Sequence, residues 1–253
     1  MRNIAVKIMY DGSRYHGWQY QKNGITVQER MEQVLSELTN EKVSVTGCSR
    51  TDAGVHALEY VFNFKSETKI PTDRLPYAIN THLSNDSIAA VSAAEVADDF
   101  NSRFSSNGKR YLYKIWNSNI ENPFTANYSW FLPYKIDVQK MIDVAPMFCG
   151  THDFSAFMAT GGSQKTTVRT IRDCVVKRSA EWDEQIEIEV EANAFLYNMV
   201  RIISGTLAEV GMGRIEKDSI PEIIASCDRR RAGLTAPAEG LFLKKVFFDT
   251  DLF

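Results

Sequence analysis

Ile186, Ile188 and Val190 alternate with Glu187, Glu189 and Glu191. A period of two sends three apolar side chains to one side of an extended backbone and three carboxylates to the other. The stretch is therefore a strand with one face in a core and one face wet, the pattern of an antiparallel sheet. Other segments fit the same frame. Ile4, Val6 and Ile8 alternate as an opening strand, and Thr26-Val27-Gln28-Glu29 is a capping box for a helix whose apolar face is Val27, Met31, Val34, Leu35 and Leu38. Val43 and Val45, then Leu58, Tyr60, Phe62 and Phe64, predict two strands. A short helix from Thr72 to about Asn80, weakened by Pro76, precedes a strand over Ile88 to Val96. The order is strand, helix, strand, strand, helix, strand.

The second half repeats it. Arg110 to Trp116 is a strand, Asp137 caps a helix with Met141, Ile142, Ala145 and Phe148 inward, and Val168 to Lys177 is a long strand before the acidic one. Leu196, Met199, Val200, Ile203 and Leu207 mark an apolar helix, another follows Pro221, and Leu241 to Phe248 closes the chain as a strand. The expected architecture is α+β, with two split β-α-β domains of ferredoxin-like or RRM-like type, 1–106 and 107–253, mainly antiparallel sheets and a central catalytic cleft.

At 253 residues the chain can bury a full core without staples, and no apolar run approaches the roughly 20 residues that a membrane span needs. Met1 to Tyr10 lacks the layout of a signal peptide. Cys48, Cys149, Cys174 and Cys227 are scattered, with no Cys-x-x-Cys pair, which argues against zinc and a disulfide framework and for a reducing cytoplasm. The net charge of −3 does not advertise a nucleic-acid partner. Local clusters matter more: Lys109-Arg110, Arg169 with Arg172, Lys177-Arg178, Arg229 to Arg231 and Lys244-Lys245 could form a basic face.

The polar stretch with most chemistry is Gly47 to Ala57, Gly-Cys-Ser-Arg-Thr-Asp-Ala-Gly-Val-His-Ala, between two predicted strands. Arg50 and Asp52, two apart, can meet one substrate from an extended backbone, although a polar turn with a surface ion pair has the same pattern. Tyr15 to Gln21 is either an exposed stacking surface or a half-buried aromatic anchor. Lys109 to Tyr113 sets two tyrosines beside two cations, as a sheet does when it holds a base by stacking and a phosphate by charge. His152, Asp153 and Ser155 are too close in sequence for a catalytic relay and read as a packed turn. Gly211 to Arg214 follows a helix, so it reads as a helix end rather than a phosphate loop. Arg201 lies early in an apolar helix, either snorkelling or paired with a buried carboxylate, for which Asp52 is the candidate. Ala232 to Leu241 is a loop of small residues, suited to tight packing or to one wall of a cleft.

Arg50-Thr51-Asp52-Ala53-Gly54-Val55-His56-Ala57 resembles the signature of the A type of tRNA pseudouridine synthase. Further segments resemble that family in its own order: Tyr10 to Ser13 with Gly17-Trp18-Gln19, Phe104 to Tyr113, Gly150 to Phe154, Phe195 to Arg201, and Thr235 to Leu243. The resemblance implies the pseudouridine synthase fold and isomerisation of uridine to pseudouridine in the anticodon stem-loop of tRNA, with no cofactor and no metal. It also implies a homodimer. Carried over by position, Asp52 is the catalytic aspartate, Tyr111 the tyrosine that stacks on the target base, Arg201 the arginine paired with the aspartate, and Arg50 the residue that holds the nucleotide out of its stem. Leu241 joins the substrate-binding set, and Lys109, Arg110, Arg169 and Arg172 are the RNA-binding candidates. Ser49, Glu59-Tyr60 and Asn101 depart from the usual pattern without removing a catalytic group. Two other readings stay open: an RNA-binding module without catalysis, and a hydrolase using Asp52 with His56.

Overall fold

The computed structural model describes residues 1–162 and 165–253. In chain order the elements are β1 (Arg2–Tyr10), α1 (Val27–Thr39), β2 (Val45–Gly47), β3 (His56–Ser66), α2 (Leu75–His82), β4 (Ile88–Val96) and β5 (Ser106–Trp116). Then come β6 (Trp130–Phe131), α3 (Val138–Val144), β7 (Gly150–Asp153), β8 (Val168–Arg178), β9 (Gln185–Ala192), α4 (Met199–Gly211), α5 (Ile220–Ser226) and β10 (Leu241–Phe248). The chain forms two compact units, Met1–Asn107 with Phe242–Phe253, and Gly108–Leu241. The last strand thus goes with the N-terminal unit, not with 107–253 as sequence order predicts. Its partner explains this: Phe242 pairs with His56 and Leu243 with Ala57 in a parallel ladder on β3.

In the first unit β1 lies antiparallel between β3 and β4, while β2 and β10 share the far edge of β3. This is the ferredoxin-like arrangement expected from the element order. Thr26 caps α1, its side-chain oxygen accepting the Glu29 N–H at 3.2 Å, and Val27, Met31, Val34 and Leu35 are buried. The α2 helix starts later than its sequence predicts because Pro76 sits in the first turn, where a missing N–H costs no helical bond. The sheet is closed on its second face by a buried amide pair. Asn63 Nδ2 donates to Asn3 Oδ1 at 2.9 Å, Asn3 Nδ2 donates to the Ala97 and Phe100 carbonyls, and Asn63 Oδ1 accepts the Ser102 N–H.

In the second unit the order is β5-β9-β8-β7, antiparallel throughout, with β6 parallel to β5. The acidic strand behaves differently from its prediction. Glu189 is only 8% exposed, and the expected wet face is a lattice of ion pairs. Arg110 donates twice to Glu191 and lies 3.7 Å from Glu189, Lys177 donates to Glu189 at 2.9 Å, and Arg172 lies 3.7 Å from Glu191. Cations on the two flanking strands cover the carboxylates that β9 presents, so the alternation is ionic against apolar rather than wet against dry. Asp137 caps α3 as expected, accepting the Lys140 N–H, but Ile142 is 37% exposed. Met141, Ala145 and Phe148 are buried as expected, the last two on a 3-10 turn, Ala145–Phe148, into which the helix tightens after Val144. Leu196 precedes α4, because Asn198 in the left-handed region starts the helix after it.

Candidate active site

The Asp52 loop is held by backbone. Trp18 N–H donates to the Thr51 carbonyl at 3.2 Å, Gly54 N–H to the Tyr15 carbonyl at 3.3 Å, and Cys48 N–H to the Val61 carbonyl at 2.9 Å. Contact with the Gly12 to Trp18 segment is so close that a Cβ on Gly12 would lie 1.9 Å from the Val55 carbonyl oxygen. At Gly17 it would lie 2.3 Å from the Thr51 carbonyl oxygen, and φ of +80° there excludes ordinary side chains independently. Beneath the loop are aromatic rings. Trp18, 3% exposed, stacks on Tyr60 with centroids 4.0 Å apart, and the Tyr60 hydroxyl donates to the Ser49 carbonyl at 2.5 Å. The Tyr10 hydroxyl meets Thr51 Oγ1 at 2.9 Å. Asp52 is half-buried at the crest and Arg50 is exposed.

His56 faces inward. It is 1% exposed, stacks on Phe242 at 4.6 Å, and its Nδ1 accepts the Gly12 N–H at 3.1 Å. The same Nδ1 lies 3.1 Å from Asp11 Oδ1, so His56 is packed as a structural histidine beside Asp11. The aromatics of Tyr15 to Gln21 split in the same way: Tyr15 and Trp18 are buried anchors, while Tyr20 is exposed. Burial first, then the Asp86 charge, raises the Tyr15 hydroxyl above the ordinary tyrosine range.

Tyr111, Arg201 and Leu241 belong to the second unit. Arg201 stands in the first turn of α4 and is fixed by its own guanidinium: Nε donates to the Ala236 carbonyl at 2.7 Å and Nη1 to Asn198 Oδ1 at 3.0 Å. The Ala236 N–H in turn donates to the Arg201 carbonyl at 3.1 Å. Small residues let this happen, since a Cβ at Gly205 would lie 2.0 Å from the Leu234 carbonyl oxygen. Tyr113 is fully buried, and its hydroxyl donates to the Pro237 carbonyl at 2.8 Å. Burial foremost, then Glu239, pushes its pKa well above the ordinary value. Tyr111 meets Phe195 edge-on with centroids 5.0 Å apart. The structure thus gathers Arg201, Tyr113 and the Ala236-Pro237 turn, and sets Tyr111 against Phe195; Leu241, 6% exposed, opens the strand that follows.

Several cations of the expected basic face have partners within the chain. Arg229 donates to the Ala232 and Gly233 carbonyls and to Thr235 Oγ1, Arg230 binds Asp228, and Arg231 lies 3.4 Å from Glu222. Arg110 is committed to three acidic residues, Asp173, Glu189 and Glu191. Lys109 and Arg169 are each 8% exposed. Sequence reasoning did not single out Tyr60, Thr51 or Asn198 as supports. Tyr60 carried a usable signal, a strand tyrosine whose hydroxyl had to find a partner; Thr51 and Asn198 carried none.

A family model for tRNA pseudouridine synthase matches residues 6–105 and 144–249, which carry the Asp52 loop, Arg201 and Leu241. The chain belongs to the tRNA pseudouridine synthase family. A relative from Thermoanaerobacter sp. (strain X514), tRNA pseudouridine synthase A, is 48% identical over 98% of this chain and 100% of its own length. The protein of the same name from Acetivibrio thermocellus is 49% identical over the same shares. Clostridium tetani has a relative called tRNA pseudouridine synthase A 2, 45% identical over 98% of this chain and 99% of its own. As a pseudouridine synthase the protein is an isomerase that converts uridine to pseudouridine in tRNA.

Glu59, Tyr60 and Asn101, which the sequence resemblance sets apart, each make local hydrogen bonds. Tyr60 is the wedge under the Asp52 loop, and Glu59 accepts the Val246 N–H at 3.1 Å. Asn101 Oδ1 accepts the Arg103 and Phe104 N–H groups at 3.0 and 3.3 Å. Among the described residues, no helix is long and apolar enough to cross a membrane.

Proposed function

We propose that Asp52 opens the reaction on uridines of the anticodon stem-loop of tRNA, with Arg201 as its counter-charge, Tyr111 stacked on the target base and Arg50 holding the nucleotide out of the stem. The observation that carries this reading is the clamp on residues 47–57: a carboxylate stands on a loop whose backbone is fixed by amides, carbonyls and close glycine contacts. A pre-positioned carboxylate is what the reaction needs. The N1 to C1′ bond breaks, the uracil turns, C5 joins C1′, and the C5 proton leaves while N1 gains one. Nothing is consumed, so no cofactor is required. Asp52 can begin this by attack on C1′, by addition to C6 or by taking a proton from C2′.

Each route needs an ionised carboxylate, which a dry pocket disfavours and a nearby guanidinium restores. Arg201 suits that role because Ala236 and Asn198 hold its fork in place. The detached uracil must stay stacked and shielded from water, and the buried Tyr111 with its Phe195 neighbour supplies an aromatic wall for it. Its hydroxyl can assist loss of the C5 proton. Flipping the nucleotide out costs a few kcal/mol, offset by phosphate contacts and by the exposed Arg50. A homodimer in the cytoplasm, with tRNA lying across both subunits, brings two sets of cations to one RNA and eases the conflict with an acidic chain.

The test is pseudouridine mapping in tRNA incubated with the purified protein. Pseudouridine confined to the anticodon stem-loop supports the reading; modification elsewhere, or release of free uracil, contradicts it. Sedimentation showing only monomer at working concentration would remove the two-subunit account.

A further inference from the structure

Arg169 is held in a way that its own fold does not explain. It is 8% exposed, and its Nη1 donates to the neighbouring Val168 carbonyl at 2.6 Å. Its Nε is buried with no hydrogen-bond partner, the one charged side chain in that position among the described residues. Burial pushes its pKa down, and no carboxylate acts against that shift. The contrast with Arg110, Arg172 and Lys177 on the same sheet is sharp, since each of those meets a glutamate of β9. Burying a guanidinium without a counter-charge is costly, and a buried donor left unpaired calls for a partner from outside.

Strand register says where that partner comes from. Lys109 pairs with Ala192 and Tyr111 with Val190, and Ala192 pairs with Ile171 on its other side. Directly paired residues share a face, and residues two apart along a strand share it as well. Arg169, two before Ile171, therefore stands on the sheet face of Lys109 and Tyr111. It also lies at their end of the sheet. Thr170 N–H donates to Asn193 Oδ1 at 2.9 Å and Asn193 N–H to the Thr170 carbonyl at 3.1 Å, at the turn that leads through Phe195 to Arg201.

With Nη1 occupied, the guanidinium keeps its Nε and Nη2 edge, the fork that matches two oxygens of one phosphate. We propose that Arg169 is a phosphate-binding residue that takes a phosphodiester of the tRNA strand through Nε and Nη2, on the sheet face that carries Tyr111. This rests on the reading of Tyr111 as the base-stacking residue.

The test is equilibrium binding of tRNA to wild type, Arg169→Gln and Arg169→Lys across a salt series, with thermal melting of each free protein. One lost phosphate contact should weaken binding of Arg169→Gln roughly tenfold at low salt and flatten its log–log salt slope by about 0.7 to 1. Its melting temperature should not fall, because an uncompensated buried charge has been removed. Inorganic phosphate should raise the melting temperature of wild type more than that of Arg169→Gln. Arg169→Lys should keep the salt slope but bind less tightly, a point charge replacing a fork. An unchanged slope in Arg169→Gln, or loss of the fold in both variants without RNA, overturns the proposal. Pseudouridine formation by Tyr111→Ala reports the Tyr111 reading separately: loss of modification there with an unchanged slope in Arg169→Gln condemns Arg169 alone, and normal modification by Tyr111→Ala condemns the Tyr111 reading.

Discussion

The Asp52 loop and the Arg201 helix are held in opposite ways. In the first unit, Asp52 rides on a loop whose backbone is fixed by carbonyls, amides and glycines, through Thr51, Gly54, Gly17 and Tyr60. In the second, Arg201 is itself the fastener, joining α4 to the Ala236 turn and to Asn198 through its guanidinium. A group on a loop with backbone supports of its own should be exchanged at less cost to the fold than a group that is itself the fastener.

Breaking the frame of the first half should produce the largest stability loss. Gly17→Ala meets both a left-handed backbone and a carbonyl 2.3 Å from the new Cβ, so we expect a loss of about 2–4 kcal/mol by urea unfolding. A loss below about 1 kcal/mol would mean that the loop is not clamped there. Arg201→Met comes next, at roughly 2–3 kcal/mol, since it strands the Ala236 carbonyl and the Asn198 amide. Unchanged thermal unfolding of that variant would show that Arg201 is not a fastener.

Tyr60→Phe and Tyr113→Phe sharpen the comparison at smaller scale, each losing one hydroxyl donor to a carbonyl, worth about 1 kcal/mol. Only Tyr60→Phe is expected to slow catalysis markedly, because Ser49 lies in the Asp52 loop; equal rate losses would erase the distinction. Tyr113 adds a pH signature. Its folded pKa is raised by burial and Glu239, so above pH of about 10 the unfolded chain loses a proton that the folded chain keeps. Stability should be level below that pH and fall as pH rises through it. The fall should be shallower in Tyr113→Phe, as read by chemical unfolding at a series of alkaline pH values.

What was legible in the sequence was local. The Thr26 and Asp137 caps, the strand over Ile88 to Val96 and the final strand over Leu241 to Phe248 follow from residues within a few positions of one another. Partners far away in the chain were not legible. Glu189 looked wet because nothing near it shows that Lys177 and Arg110 flank it across two ladders. The basic clusters looked like a nucleic-acid face for the same reason, although Arg229 is consumed by the carbonyls of its own loop. Spacing and motif singled out Arg50 and Asp52, but the clamp on their loop depends on Gly12 and Gly17, which no pattern within 47–57 reveals.

Asp52→Asn tests the central claim most directly. Asparagine keeps the shape and a carbonyl acceptor while losing the ionised carboxylate, and the loop's backbone supports remain. The account predicts thermal unfolding within about 1 kcal/mol of wild type, tRNA affinity retained, and pseudouridine formation abolished. Substantial pseudouridine formation by the variant would contradict the assignment of Asp52, and loss of tRNA binding together with the fold would contradict a loop held by its backbone supports.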